Sequence, residues 1–313
     1  MRAVVAVLAM MVLAGCVSSR ERAADSITDA ITPMPGVASA EMEYDAGWRR
    51  GDQQFGLTAV LHNDATPAQA RAVGEKFTDL VEAADFSAFE VDLAVKYRVI
   101  DIMNQVPLTS SARFTVGGTN PPAADGLREW LEIAQSPGVQ SVRLNPPEPV
   151  GITIDPVATD RDLQALLKAH PDLNSATWTV VGGSPREVSR NAPDYPEVYQ
   201  VIGMLPDAGL RSLWGQIVAE VGAAGGVSAK TDVAQKDLAA PPTVVDVNFP
   251  TSRDREQNLA QAWMVLPLLA KLPLPAKVDF DGAVFVIGGC SSPASRNSSS
   301  GTEAELRRKS EKC

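Results

Sequence analysis

Alternating apolar and polar residues recur along this chain in short runs. Leu57, Ala59 and Leu61 form one run, Val150, Ile152 and Ile154 a second, and Val245, Val247 and Phe249 a third. A period of two with one apolar face predicts half-buried strands. Each run leads to a threonine, Thr66, Thr159 or Thr251, with Gln69, Asp162 or Asp254 three residues on. That spacing predicts a helix N-cap, and Thr66 with Gln69 fits the reciprocal capping box best, because Asp is a weaker partner than Glu or Gln. Behind the caps the period becomes helical: Ala70, Val73, Phe77, Leu80 and Ala84; then Leu163, Leu166 and Leu167; then Leu259, Trp263 and Leu268.

Glycine turns recur in the same order. Met34-Pro35-Gly36-Val37-Ala38-Ser39, Ser136-Pro137-Gly138-Val139-Gln140-Ser141 and Ala224-Gly225-Gly226-Val227-Ser228-Ala229 each open an extended stretch. Phe114-Thr115-Val116-Gly117-Gly118, Thr179-Val180-Val181-Gly182-Gly183 and Val286-Ile287-Gly288-Gly289 each close one. Two signals in one order predict an internal repeat. The middle copy reads as strand 112–116, helix 123–134, strands 139–144 and 150–155, helix 160–169 and strand 176–181. The third reads as strand 198–204, helix 210–221, strands 227–233 and 243–249, a helix to about Lys271 and a strand ending at Gly288. The first copy lacks a leading strand and carries an extra extended stretch over 90–102.

This βαββαβ order resembles the ferredoxin-like fold. The resemblance implies an α+β protein of three tandem modules with antiparallel sheets, helices on one sheet face, and the other face left for a neighbour, a ligand or water. The Gly-Val turn is also similar to that of heavy-metal-associated domains. Their Cys-x-x-Cys would fall at Gly117-Gly118-Thr119-Asn120-Pro121-Pro122, so no metal chemistry is implied. Envelope modules of the BON type share only an α-β-β-α-β order. The expected organisation is a signal peptide over 1–15, a lipidated tether over 16–24, a first, incomplete module over 25–110, a second over 111–183, a linker over 184–196, a third module over 197–290 and a disordered, Ser-rich tail over 291–313.

The leader gives the sharpest signal. After Met1-Arg2, residues 3–13 are uncharged and apolar, a length that suits a signal peptide and falls short of the roughly 20 residues of a membrane span. Leu13-Ala14-Gly15-Cys16 follows and resembles the lipobox of bacterial lipoproteins. The resemblance implies cleavage between Gly15 and Cys16 and a diacylglyceryl group on the Cys16 thiol. Two acyl chains, at about 0.8 kcal/mol per buried methylene, hold a protein at a bilayer without a transmembrane helix.

Composition then narrows the function. In 313 residues with 45% hydrophobic and 21% charged, a formal charge of −10 argues against nucleic acid and against a polybasic contact with anionic lipid. The excess of Arg over Lys and the abundance of Ala fit a GC-rich genome, and the chain resembles envelope lipoproteins of actinobacteria. Histidine is limited to His62 and His170, too few for a histidine zinc site. No G-x-S-x-G elbow and no phosphate or dinucleotide glycine loop occurs, and Gly222–Gly226 follows a helix, where it reads as a C-cap. Glu41, Glu43 and Asp45 share one strand face and read as solvated. Trp130 and Trp214 sit at helical core positions. Beyond Cys16, Cys290 and Cys313 either form a disulfide or stay free thiols. The stretch 262–275 is unusually apolar; burial in the core is its default, and a groove around Trp263, Leu268 and Leu269 its sharper reading.

These observations predict an extracytoplasmic lipoprotein of the cell envelope, anchored through Cys16, non-catalytic and without cofactor or metal, that binds or scaffolds an envelope protein. The alternatives are carriage of an apolar ligand or lipid between modules and carboxylate-dependent catalysis.

Overall fold

Hairpins and helices alternate along the chain. The computed structural model describes residues 19–47, 53–99, 109–117, 122–182, 197–222, 225–235, 241–248, 255–291 and 301–313. The leader with Gly15 and Cys16, the linker 184–196 and the cap residues Thr251 and Asp254 lie outside them. The protein is a mixed α/β chain that divides into two compact units. The first comprises Met1–Asp101, Pro107–Ser136 and Ser141–Val150, and the second Ile102–Val106, Pro137–Gln140 and Gly151–Cys313. The segment expected to form the middle module contributes to both.

The first unit begins with helix α1 over 19–31, so residues 19–24 are helical rather than a loose tether, with Ala24 and Ile27 buried. Strands β1 (Val37–Asp45) and β2 (Gln54–Leu61) form an antiparallel hairpin. Helix α2 (Pro67–Ala83) then carries the chain to β3 (Glu90–Tyr97), which lies parallel to β2 with Leu57 opposite Leu93. Strand β4 (Ser110–Thr115) is antiparallel to β3, and helix α3 (Ala123–Ala134) leads to β5 (Val139–Leu144), which runs parallel to β4.

The second unit repeats the scheme. Strand β6 (Gly151–Ile154), helix α4 (Asp160–Ala169), a 3₁₀ turn over Pro171–Ser175 and β7 (Thr177–Val181) make a parallel crossover. Strand β8 (Val198–Ile202) returns antiparallel, and helix α5 (Ala208–Val221) leads to the parallel β9 (Gly226–Asp232). Strand β10 (Thr243–Asn248) is antiparallel to β9, helix α6 (Arg255–Leu269) crosses to the parallel β11 (Ala276–Phe280), and β12 (Ala283–Ile287) closes a hairpin with β11. Helix α7 covers Gly301–Ser310.

Within each unit every strand therefore pairs with the one before it. This corrects the ferredoxin-like expectation: the sheets are mixed, not antiparallel. A split βαβ unit leaves room for a strand between the two it connects, whereas each helix here delivers its strand directly beside the previous one. The expected disorder of the tail is corrected over residues 301–310, which form a helix, and of the two states left open for Cys290 and Cys313 the structure has the disulfide.

Local chemistry explains the helix starts. The Thr66 hydroxyl accepts from the Gln69 amide at 3.3 Å while the Gln69 side chain accepts from the Thr66 amide at 2.8 Å, a complete capping box. The Thr159 hydroxyl accepts from the Asp162 amide at 3.2 Å, but the shorter Asp162 side chain receives only that hydroxyl, at 2.6 Å. Asp207 caps α5 through the Leu210 amide at 2.7 Å, and Gly222 ends that helix at φ 73°.

The crossover helices of a unit cover one sheet face. In the first unit Phe77 of α2 meets Phe55 at 5.9 Å between rings, and Trp130 of α3 lies edge-on to Tyr97 and donates to the Val142 carbonyl at 3.2 Å. Phe55 and Tyr97 share that face through the register of Phe55 with Val91. In the second unit Trp214 of α5 packs 5.3 Å from Tyr199, and Arg211 of α5 pairs with Asp160 of α4 at 2.8 Å. Trp130 and Trp214 are fully buried, as their helical spacing predicts. One consequence is topological. The strands joined by α3 run opposite to those joined by α2, yet both crossovers move the same way along the sheet and over the same face. Successive crossovers therefore have opposite hands, and one of each pair departs from the right-handed rule.

Candidate functional site

Opposite each helix layer lies an uncovered strand face. It arises because alternate strand residues point to opposite sides, and only one set is apolar.

In the first unit, register aligns this face into rows. Glu43, Gly56, Asp92 and Thr115 form one row, and Glu41, Thr58, Ala94 and Arg113 the next. The Arg113 Nε donates to Asp92 at 3.2 Å, and the Thr115 hydroxyl donates to the other Asp92 oxygen at 2.7 Å. Asp92, through its hydrogen bond and its charge, raises the Arg113 pKa, with Glu90 and Glu43 adding to it. Glu41, Glu43 and Asp45 are all exposed on one face, as their alternation predicts.

In the second unit one row runs Thr153, Thr179, Gln200, Lys230, Val244, Lys277 and Val286, with its two end residues buried, and another Ser228, Asp246, Asp279 and Val284. Burial, then the neighbouring Asp279, raises the Asp246 pKa, and Lys277 opposes the rise. The face mixes hydroxyls, amide, both charges and β-branched carbons.

The remaining titratable features are structural. Tyr199, Thr231 and Thr243 form a buried chain of hydroxyls with 2.8 Å links, and burial raises the Tyr199 pKa against the hydrogen bond from Thr231. Asp85 is lowered by hydrogen bonds from Ser87 and Arg20. His170 ends α4, its amide donating to the Leu166 carbonyl. Among the described residues no cluster of three His, Cys, Asp or Glu is placed to hold a metal, and no helix is long and apolar enough to cross a membrane.

The residues singled out around the apolar segment separate. Leu269 is in the core, whereas Trp263 and Leu268 are half-buried, and the Lys309 ammonium of α7 lies 4.4 Å from the Trp263 ring centre. An open depression of about 490 Å³ lies nearby, lined by Met204, Leu210, Leu213, Gln216, Lys271 and Pro273 among others; Trp263, Leu268 and Leu269 are not in its lining. The rows of the uncovered face were the feature missed in the sequence. Alternation showed the polar positions strand by strand, but their assembly into rows needs the register.

Comparison with known protein families, with characterised proteins and with solved structures returns no match.

Proposed function

We propose that this protein is an exported, lipid-anchored lipoprotein of the cell envelope that binds a protein partner without catalysis. The observation that carries this reading is the uncovered, mixed-polarity strand face of each unit. A sheet face left bare of helices either meets water or meets a partner, and paired rows of charges and β-branched residues fit the second use. The Cys290–Cys313 bond supports a location outside the cytoplasm, where disulfides persist. The Leu13-Ala14-Gly15-Cys16 tetrad supports the anchor.

The test is crosslinking in the native envelope, on tagged full-length protein, followed by mass spectrometry. One dominant protein partner is the expected result. Crosslinks scattered over abundant proteins would overturn the binding role and favour carriage of an apolar ligand.

A further inference from the structure

The partner-binding reading can be taken further at one edge of the first unit. We propose that β1 is a docking edge for an extended segment of a partner protein in which basic and apolar residues alternate. This rests on the protein-binding reading above and adds the surface and the chemistry of the occupant.

Strand β1 ends the strand order of its unit and pairs only with β2. In an antiparallel pair, half of the backbone N–H and C=O groups turn away from the neighbour. Among the described residues, the only backbone hydrogen bond from β1 outside the β1–β2 ladder is the one its first residue, Val37, makes to Met34. Natural edges are blunted by charged side chains, Lys above all, by Pro, by shortness or by bulges; the charges of β1 are all acidic, so they repel an acidic strand and leave a basic one free to pair. Nine-residue β1 has no Pro and no Lys, and its single register shift falls at its start, between Val37 and Ser39.

The two faces of β1 define the occupant. On the uncovered face stand Glu41, Glu43 and Asp45, with Glu90 and Asp92 on the strand beyond β2. Arg113 is paired to Asp92, and no salt bridge reaches the β1 carboxylates among the described residues. Toward the helix side Ala40, Met42 and Tyr44 are half-buried, Tyr44 stacking on Phe89 at 5.6 Å and Phe89 standing edge-on to Phe86 at 5.2 Å. An added strand therefore meets carboxylates at every second residue and, at the others, a largely apolar shelf with Glu21 and Arg20 of α1 near Tyr44. A second copy of β1 is excluded by the same pattern. Every face-matched pairing that overlaps two β1 strands over most of their length sets carboxylates beside carboxylates, which destabilises a cross-strand pair. Backbone pairing supplies affinity and the alternating side chains supply selectivity, the logic of strand addition.

The experiment uses the full chain in detergent and fluorescent nine-residue peptides. One alternates lysine and valine; a second has the same composition in two blocks; a third is the alternating peptide with every second amide methylated. Anisotropy titration is expected to show the alternating peptide binding at least tenfold more tightly than both controls. Amide exchange over residues 37–45 is expected to slow while β12 is unchanged. A Glu41→Lys and Glu43→Lys double variant should lose at least tenfold for the lysine peptide and gain affinity for a glutamate–valine peptide, a rescue that a misfolded variant could not give. Equal binding of block and alternating peptides, or protection confined to other strands, would overturn the proposal. A cellular partner crosslinked away from β1 would overturn the edge and leave the protein-binding reading standing. Tight peptide binding at β1 with no partner in cells would do the reverse.

Discussion

Gly74 of α2 faces backbone, not side chain. A Cβ placed there would lie 2.8 Å from both the Cα and the N of Ala124 in α3. Alanine would gain up to about 1 kcal/mol of helix propensity. Overpacking against atoms that cannot rotate away typically costs about 1–3 kcal/mol, so the net expectation for Gly74→Ala is a loss of stability, larger for Gly74→Val, read by urea denaturation. Asp246 acts through its proton. Its raised pKa means that the native state holds a proton to higher pH than the unfolded chain does, so stability falls as pH rises from about 3.9, the ordinary aspartate value, through the raised one. Asp246→Asn is expected to remove that slope. Urea midpoints of variant and parent should coincide at the acid end and diverge toward neutrality, with the variant the more stable. The tryptophans were readable at this scale, since helical spacing alone places Trp130 and Trp214 in the core.

At the scale of elements, helices α3 and α4 and strand β5 follow from the sequence residue by residue, because apolar period and glycine turns agree there and a threonine caps α4. Two elements escaped the periodicity. The β11–β12 hairpin hides in what reads as one apolar strand, although Asp281-Gly282 between its strands, at φ 51° and 82°, is the turn pair such a hairpin needs. Helix α7 escaped because its signal is charge rather than apolar period. Arg307 pairs with Glu303 and Lys309 with Glu305 one turn apart, while Leu306 is its one fully buried apolar residue. A ten-residue helix with so small an apolar contact is marginal alone. Arg307 is 6% exposed, yet its Nε finds no partner among the described residues. The disulfide, closing a separation of 23 residues, is thus a principal tie of α7 to β12, and such a loop is worth about 3 kcal/mol. Cys313→Ser is expected to speed amide exchange throughout 301–310 while leaving the first unit unchanged.

On the scale of the whole molecule, alternation fixes which strand face is buried but not which strand lies beside which. Sequential pairing and the split ferredoxin-like order put the same residues under the same helices, so their sequences look alike and only register tells them apart. The anchoring proposal belongs at this scale too. Cys16→Ser is expected to move the protein from the membrane pellet to the soluble fraction, and carbonate-resistant attachment of the variant would count against a lipid on that thiol. Sequential pairing also has a consequence in time. Each hairpin and crossover within a unit closes over short stretches of chain, so loop-closure entropy is met in small steps and contact order stays low for so much β structure. A chain delivered from its N-terminus can complete each pair as it emerges, β2 onto β1 and then β3 onto β2, without waiting for distant sequence. In the second unit the joining of Cys313 to Cys290 comes after that zipper has run, and acts as its final stitch.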